Sequence, residues 1–148
     1  MTEKKMKRVA DSYTTQVQVL TQGNLNGYNR LFGGKLMSWM DVVARRHSER
    51  NVTTVRVEDL EFRAPAHAND TLVITGHITH AGRTSMEVCV HVYVEALSGE
   101  RKLINRAHFI MVALDEHERP TEVPGLLLET DQQREEWQLA ELRRERRK

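Results

Sequence analysis

A chain of 148 residues with 39% hydrophobic content is sized for one domain around one core. Its 22 Lys and Arg nearly balance 21 Asp and Glu, which excludes a chain-wide field recruiting nucleic acid or an anionic membrane, so any anion site must be local. The single cysteine, Cys89, excludes an internal disulfide and suits a reducing cytosol; its strand-like setting predicts a small buried thiol.

The first ten residues, M-T-E-K-K-M-K-R-V-A, are charged and read as a loose end, with no apolar stretch behind the basic residues to make an export signal. Nowhere do about 18 apolar residues run together, so no membrane span is expected. From Asp11 the pattern becomes D-S-Y-T-T-Q-V-Q-V-L, placing Tyr13, Thr15, Val17 and Val19 on one face of a strand. The next stretch, T-Q-G-N-L-N-G-Y-N-R, collects the residues that tolerate positive φ and bond their own backbone, which predicts a structured loop. After Gly33-Gly34 the spacing turns helical through Leu36, Met37, Met40, Val43 and Ala44. Trp39 and Val42 widen the stripe enough to predict burial on most sides. R-R-H-S-E-R-N then turns polar, with Asn51 as the stop signal and His47 placed to cap the carboxyl end.

Residues 52–114 read as strands. Val55 and Val57 alternate in one phase and Leu60 and Phe62 in the other, so a β-bulge is predicted near Glu58 and Asp59. A-P-A-H-A-N-D is a turn. Leu72, Ile74, Gly76 and Ile78 alternate next, and Gly76 marks a bend or a close approach. Gly82-Arg83 turns the chain into the most regular strand, with Met86, Val88, Val90, Val92 and Val94 on one face. Ser98-Gly99 signals a hairpin. The return strand is continuously apolar from Phe109 to Leu114, which requires cover on both faces; the helix supplies one layer, and an oligomeric partner is expected to supply the other. His77 and His80, three apart in a strand, fall on opposite faces and make a poor chelate, so neither a metal nor a cofactor is expected. Residues 126–148 form a charged tail of helical propensity with a narrow apolar face. Its Arg-rich end reads as a solvated helix whose own Glu residues neutralise it, rather than as a nucleic-acid patch.

One helix set on one face of an antiparallel sheet is an α+β layout. A single long helix wrapped by a curved sheet of five to six strands is the hotdog architecture, here expected over residues 11–125. The loop and helix N-G-Y-N-R-L-F-G-G-K-L-M-S-W-M-D, the segment A-R-R-H-S, the run G-R-T-S-M-E-V and M-V-A-L-D-E followed by V-P resemble, in order, the cytosolic acyl-CoA hydrolase branch of the hotdog acyl-CoA thioesterases. The resemblance covers about residues 14–124. It implies hydrolysis of acyl-CoA to a free acid and CoA in the cytoplasm without a metal. It also implies sites assembled between paired hotdog domains, as a dimer or a trimer of such dimers, and it places the catalytic pair on Asn26 and Asp41. Two departures stand out: Asn29 occupies a position where the family usually has glycine, and the stretch from Asp41 to R-R-H-S is about one helical turn short, which would keep the helical faces nearly in register.

The chemistry is coherent on its own terms. A thiol leaving group ionises near pKa 8.5, so a thioester needs mainly an activated water or a carboxylate nucleophile, and an oxyanion stabiliser. Amides at a helix N-terminus are unsatisfied donors, and Gly33 and Gly34 would let a substrate carbonyl approach them. Asp41 lies seven residues after Gly34 and so projects within about 20° of the same helical face. Between Met40 and Val42 its carboxylate is desolvated, which raises its pKa and improves it as a base; whether it activates water or attacks directly stays open at this level. The amide of Asn26 would hold the water or the carbonyl. For the phosphates of CoA, Arg83 at the turn, with the hydroxyls of Thr84 and Ser85, is the expected local positive site. The competing reading on the same fold is a non-catalytic acyl-CoA sensor, which would keep the groove and the phosphate contacts but not need Asp41.

Overall fold

The computed structural model describes residues 5–20 and 34–147. Its first strands are β1 (Met6–Arg8) and β2 (Thr14–Val19), joined by a 3₁₀ turn over Val9–Ser12; helix α1 follows at Gly34–Ser48. The antiparallel strands β3 (Asn51–Phe62), β4 (Thr71–Ala81), β5 (Ser85–Glu95) and β6 (Arg101–Leu114) come next, then β7 (Gly125–Leu127) and helix α2 (Asp131–Arg147). Five strands form one sheet in the order β2-β4-β5-β6-β3, with α1 across its inner face: this is the expected α+β hotdog fold, closed by a C-terminal helix. Among the described residues no helix is long and apolar enough to cross a membrane.

The period-two strands dictate that inner face. Ile74, Ile78, Val88, Val90, Phe109 and Met111 are buried there, and α1 answers with Met40, Val43 and Ala44, each wholly buried. Gly76 is the close approach its pattern predicted. A Cβ there would lie 2.9 Å from Val43 Cγ2 and 3.0 Å from Met40 Sδ, so α1 seats on β4 only because position 76 has no side chain.

Several local expectations shift. The bulge near Glu58 and Asp59 is present, with Asp59 at φ 50°, and a second register shift lies between Thr54 and Arg56. α1 ends at Ser48 and the left-handed residue is Glu49 at φ 58°, so the stop comes earlier than Asn51, which already begins β3. His47 is not an exposed cap; it is buried in the last turn with Nε2 2.8 Å from the Pro124 carbonyl oxygen. The stretch read as loose contains β1, paired in parallel with β7, and the buried Val9. Val17 and Val19 do share a face of β2, but it is an exposed one, and Tyr13, just ahead of the strand, is exposed as well.

The outer face departs most. A register shift between Ile78 and His80 swings both His77 and His80 to the same side, where α2 lies; opposite faces would have followed only from an unbroken strand. Glu87 and Cys89 of β5 are buried by this second layer. α2 thus covers the outer face over β4 and Glu87 of β5, while Val112 and Leu114 of β6, for which a partner's cover is expected, are half-buried. Its end is not neutralised by its own Glu residues alone: Arg143 pairs with Glu87 and Arg147 with Glu58, both on the sheet.

Candidate functional site

α1 divides into faces. Met40, Val43, Ala44, His47 and Ser48 form the buried stripe, while Val42, Arg45 and Arg46 are exposed. Asp41 sits on the boundary, half-buried, on the flank it shares with Gly34, the first residue of the helix. Burial pushes its carboxyl above the ordinary range, and the charge of Arg45, one turn further on, opposes that rise. A carboxylate so placed is a better base than a solvated one. Asn26 and Gly33, the other expected members of the site, lie outside the described residues.

The sequence did not single out two further polar residues, one on α1 and one on β3. Arg45 was legible as the i+4 partner of Asp41. Thr54 is half-buried on β3 and pairs in register with Met111, a core residue, which puts its hydroxyl on the helix side; the bulge at residue 55 hid that orientation from a plain alternation count.

The expected phosphate site forms one compact turn. Gly82 N–H donates to Ser85 O at 2.8 Å, Val123 N–H to Arg83 O at 2.8 Å and Ala113 N–H to Thr84 O at 3.1 Å, so the backbone of all four residues is fixed while Arg83 is exposed. The turn is tied through Ala113 to Val52 at the start of β3, the end of the sheet where α1 terminates.

A second polar cluster lies between α2 and the outer face. His77 Nε2 is 2.7 Å from Glu136, His80 Nε2 is 2.6 Å from Glu141, and Arg143 grips Glu87 through two nitrogens at 2.7 and 3.0 Å. Burial holds the Cys89 thiol at a pKa of about 12, which makes it inert as a nucleophile. The cleft beside it, about 560 Å³, is lined by acids and bases together, including Glu61, Arg106 and His108. Among the described residues no three His, Cys, Asp or Glu side chains are placed to hold a metal ion.

Comparison with known proteins agrees with this architecture. A sequence model of the Thioesterase superfamily matches residues 28–97. An uncharacterized acyl-CoA thioester hydrolase of Bacillus subtilis, YkhA, is 37% identical over 113 residues, 73% of this chain; the chain spans 66% of that relative's length. A solved apo-hexameric acyl-CoA thioesterase is 32% identical with a TM-score of 0.86, covering 97% of this chain and 95% of its own. The acyl-CoA hydrolase of Staphylococcus aureus, solved with butyryl coenzyme A and coenzyme A, is 27% identical with a TM-score of 0.84, covering 96% and 90%. Its Asp-to-Ala and Asn-to-Ala mutants are also solved, the latter with coenzyme A, and their two positions are fifteen apart. With its helix-wrapping sheet and these matches, the chain belongs to the hotdog-fold acyl-CoA thioester hydrolases.

Proposed function

We propose that this chain hydrolyses acyl-CoA to a free acid and CoA at the flank of α1, with Asp41 as the general base. The observation that carries the reading is the half-buried Asp41 carboxylate, pushed up by burial, on the flank that begins at the helix N-terminus. In this scheme Asp41 takes a proton from water as the water attacks the thioester carbon. The helix-terminal amides around Gly33 and Gly34 stabilise the oxyanion, and the thiolate leaves without needing a strong acid. Asn26 positions the water or the carbonyl, and Thr54 offers a further hydroxyl on the helix side of β3. The mutated Asp and Asn of the Staphylococcus aureus hydrolase have the same spacing as Asp41 and Asn26, which supports the pairing.

Arg83, Thr84 and Ser85 take the CoA phosphates. No step in this scheme calls for a metal or cofactor. The working unit is a homo-oligomer: β3 is a twelve-residue edge strand with Val55 and Val57 exposed, an edge suited to pairing with a second copy. A hexamer has a precedent in the solved relative. The lone buried cysteine fits a cytoplasmic location.

The test is release of free thiol from acyl-CoAs of several chain lengths. Wild type should turn over, and Asp41→Ala should not while remaining folded. An Asp41→Ala enzyme with wild-type turnover would falsify the assignment, and a wild type that binds acyl-CoA without releasing thiol would favour the sensor.

A further inference from the structure

The C-terminal helix reaches back to the Gly82–Ser85 turn. Both terminal nitrogens of Arg144 lie 3.1 Å from the point a Cβ on Gly82 would occupy, and Ser85 Oγ lies 3.2 Å from the same point. Glycine at 82 thus lets the guanidinium rest flush against the turn. Arg144 is half-buried, yet no ion pair joins it to a carboxylate among the described residues, whereas its neighbours Arg143 and Arg147 are engaged by Glu87 and Glu58. Arg83, on the same turn, is exposed and also joined to no carboxylate there. Two guanidiniums and the hydroxyls of Thr84 and Ser85 therefore gather on a turn whose backbone carbonyls at 83 and 84 are already fixed inward by Val123 and Ala113.

We infer that Arg144 of α2 is a substrate-recognition residue that joins Arg83 in holding the phosphates of the CoA moiety, so that the C-terminal helix completes the thioesterase's substrate site. The inference rests on the proposed acyl-CoA hydrolysis and gives α2 a role in it. Two like charges held at one turn repel each other until a polyanion arrives, and guanidiniums bind phosphate oxygens in a paired geometry that lysine cannot match. The turn sits at the end of the sheet where α1 stops, and Asp41 lies about 10 Å back along the helix from Ser48. One substrate can thus present its thioester to Asp41 and its phosphates toward this turn.

The experiment compares an acyl-CoA with the acyl-pantetheine thioester of the same chain, which has the same reacting bond and no phosphates. The wild type should prefer acyl-CoA. Arg144→Ala should raise KM for acyl-CoA about ten-fold with kcat within about two-fold, flatten the salt dependence of kcat/KM, and leave acyl-pantetheine kinetics unchanged. Arg144→Lys should recover part of the loss. Gly82→Ala, which crowds the guanidinium without removing it, should show the same selective KM effect and covers the case in which loss of Arg144 unsettles α2. Arg146→Ala, at an exposed position two residues further along α2, is the control. An unchanged KM for acyl-CoA in both Arg144→Ala and Gly82→Ala overturns the inference, as does an equal loss on acyl-pantetheine. A wild type that treats both thioesters alike overturns instead the phosphate reading beneath it.

Discussion

The two faces of the sheet are held by different physics. On the inner face Met40, Val43 and Ala44 meet Ile74, Ile78, Phe109 and Met111, and closeness of fit decides the geometry, down to a missing side chain at Gly76. On the outer face α2 has only Ala140 fully buried and docks instead through matched polar groups: His77 with Glu136, His80 with Glu141 under the stacked ring of Trp137, and Arg143 with Glu87. The contrast is informative about Asp41. The polar groups that dock α2 come in bonded pairs, whereas Asp41 borders the apolar layer and carries a desolvated carboxylate. A charge left in that condition is a stability cost that function can explain.

Asp41 is where the contrast between the faces is tested most severely. Asp41→Asn keeps the shape and removes the charge, and should lower kcat for acyl-CoA by at least about 10²-fold, the lower end of what a positioned base contributes. The same substitution should leave the fold intact and slightly raise Tm at neutral pH. The sign follows from the upward shift: a carboxyl raised in the folded state disfavours folding increasingly as pH rises through its unfolded value toward the folded one, so removing the charge removes that penalty. Thiol release and thermal melts on one preparation check both halves, and a drop in Tm equal to that of a core mutant would place Asp41 among the structural pairs.

On the outer face the strongest prediction concerns Arg143→Met. Glu87 is 3% exposed and held by two Arg143 nitrogens and by Thr79 Oγ1 at 2.7 Å; removing the guanidinium strands a buried carboxylate and should destabilise by about 3 kcal/mol in urea unfolding. Adding Glu87→Gln should restore part of the loss, because the stranded charge, more than the missing contact, sets the penalty. The inner face predicts a smaller effect of another kind. Gly76→Ala forces a methyl to 2.9 Å from Val43 Cγ2, for about 1 to 2 kcal/mol, and Val43→Ala in the same chain should compensate by opening that space. Rescue by volume inside and by charge outside would sustain the distinction between the faces; the reverse pattern would remove it.

The sequence showed the inner face far better than the outer. Alternation of Met86, Val88, Val90 and Val92 needs only the pleat of a strand, and the helical spacing of Met40, Val43 and Ala44 only the pitch of a helix, so both were legible before any contact was known. The outer face depends on where alternation fails. A single register shift between Ile78 and His80 turned two histidines to one side, and no local pattern announces a bulge without a turn residue to mark it. Asp59, by contrast, betrayed its bulge through a change of phase that Leu60 and Phe62 made visible. The docking of α2 was hidden for a further reason: a helix that binds by salt bridges looks from its sequence like a helix that binds nothing. At the candidate site the flank shared by Gly34 and Asp41 followed from helical geometry alone, while the orientation of Thr54 needed the strand register.

The smallest effect separates the faces by pH. Burial pushes Glu136 upward, but its hydrogen bond to His77 and that residue's charge, with Gln132 beyond, outweigh burial and leave its pKa below the ordinary range; Glu87 is likewise lowered, with Arg143 and Thr79 outweighing burial. Carboxylates lowered in the folded state contribute stability that is fully present above their unfolded values, near about 4.3, and is lost as pH falls through the folded ones. Among the described residues the buried core of the inner face holds no acidic side chain, so mild acid should loosen α2 while the sheet and α1 hold. Trp137, stacked 4.0 Å from His80, reports the event in a Trp39→Phe background. Its emission should shift below about pH 4.3 ahead of any loss of β-sheet signal, and Glu136→Gln should weaken that acid step. A single transition, with fluorescence and sheet signal lost together, would mean that the two faces are one cooperative unit despite their different chemistry.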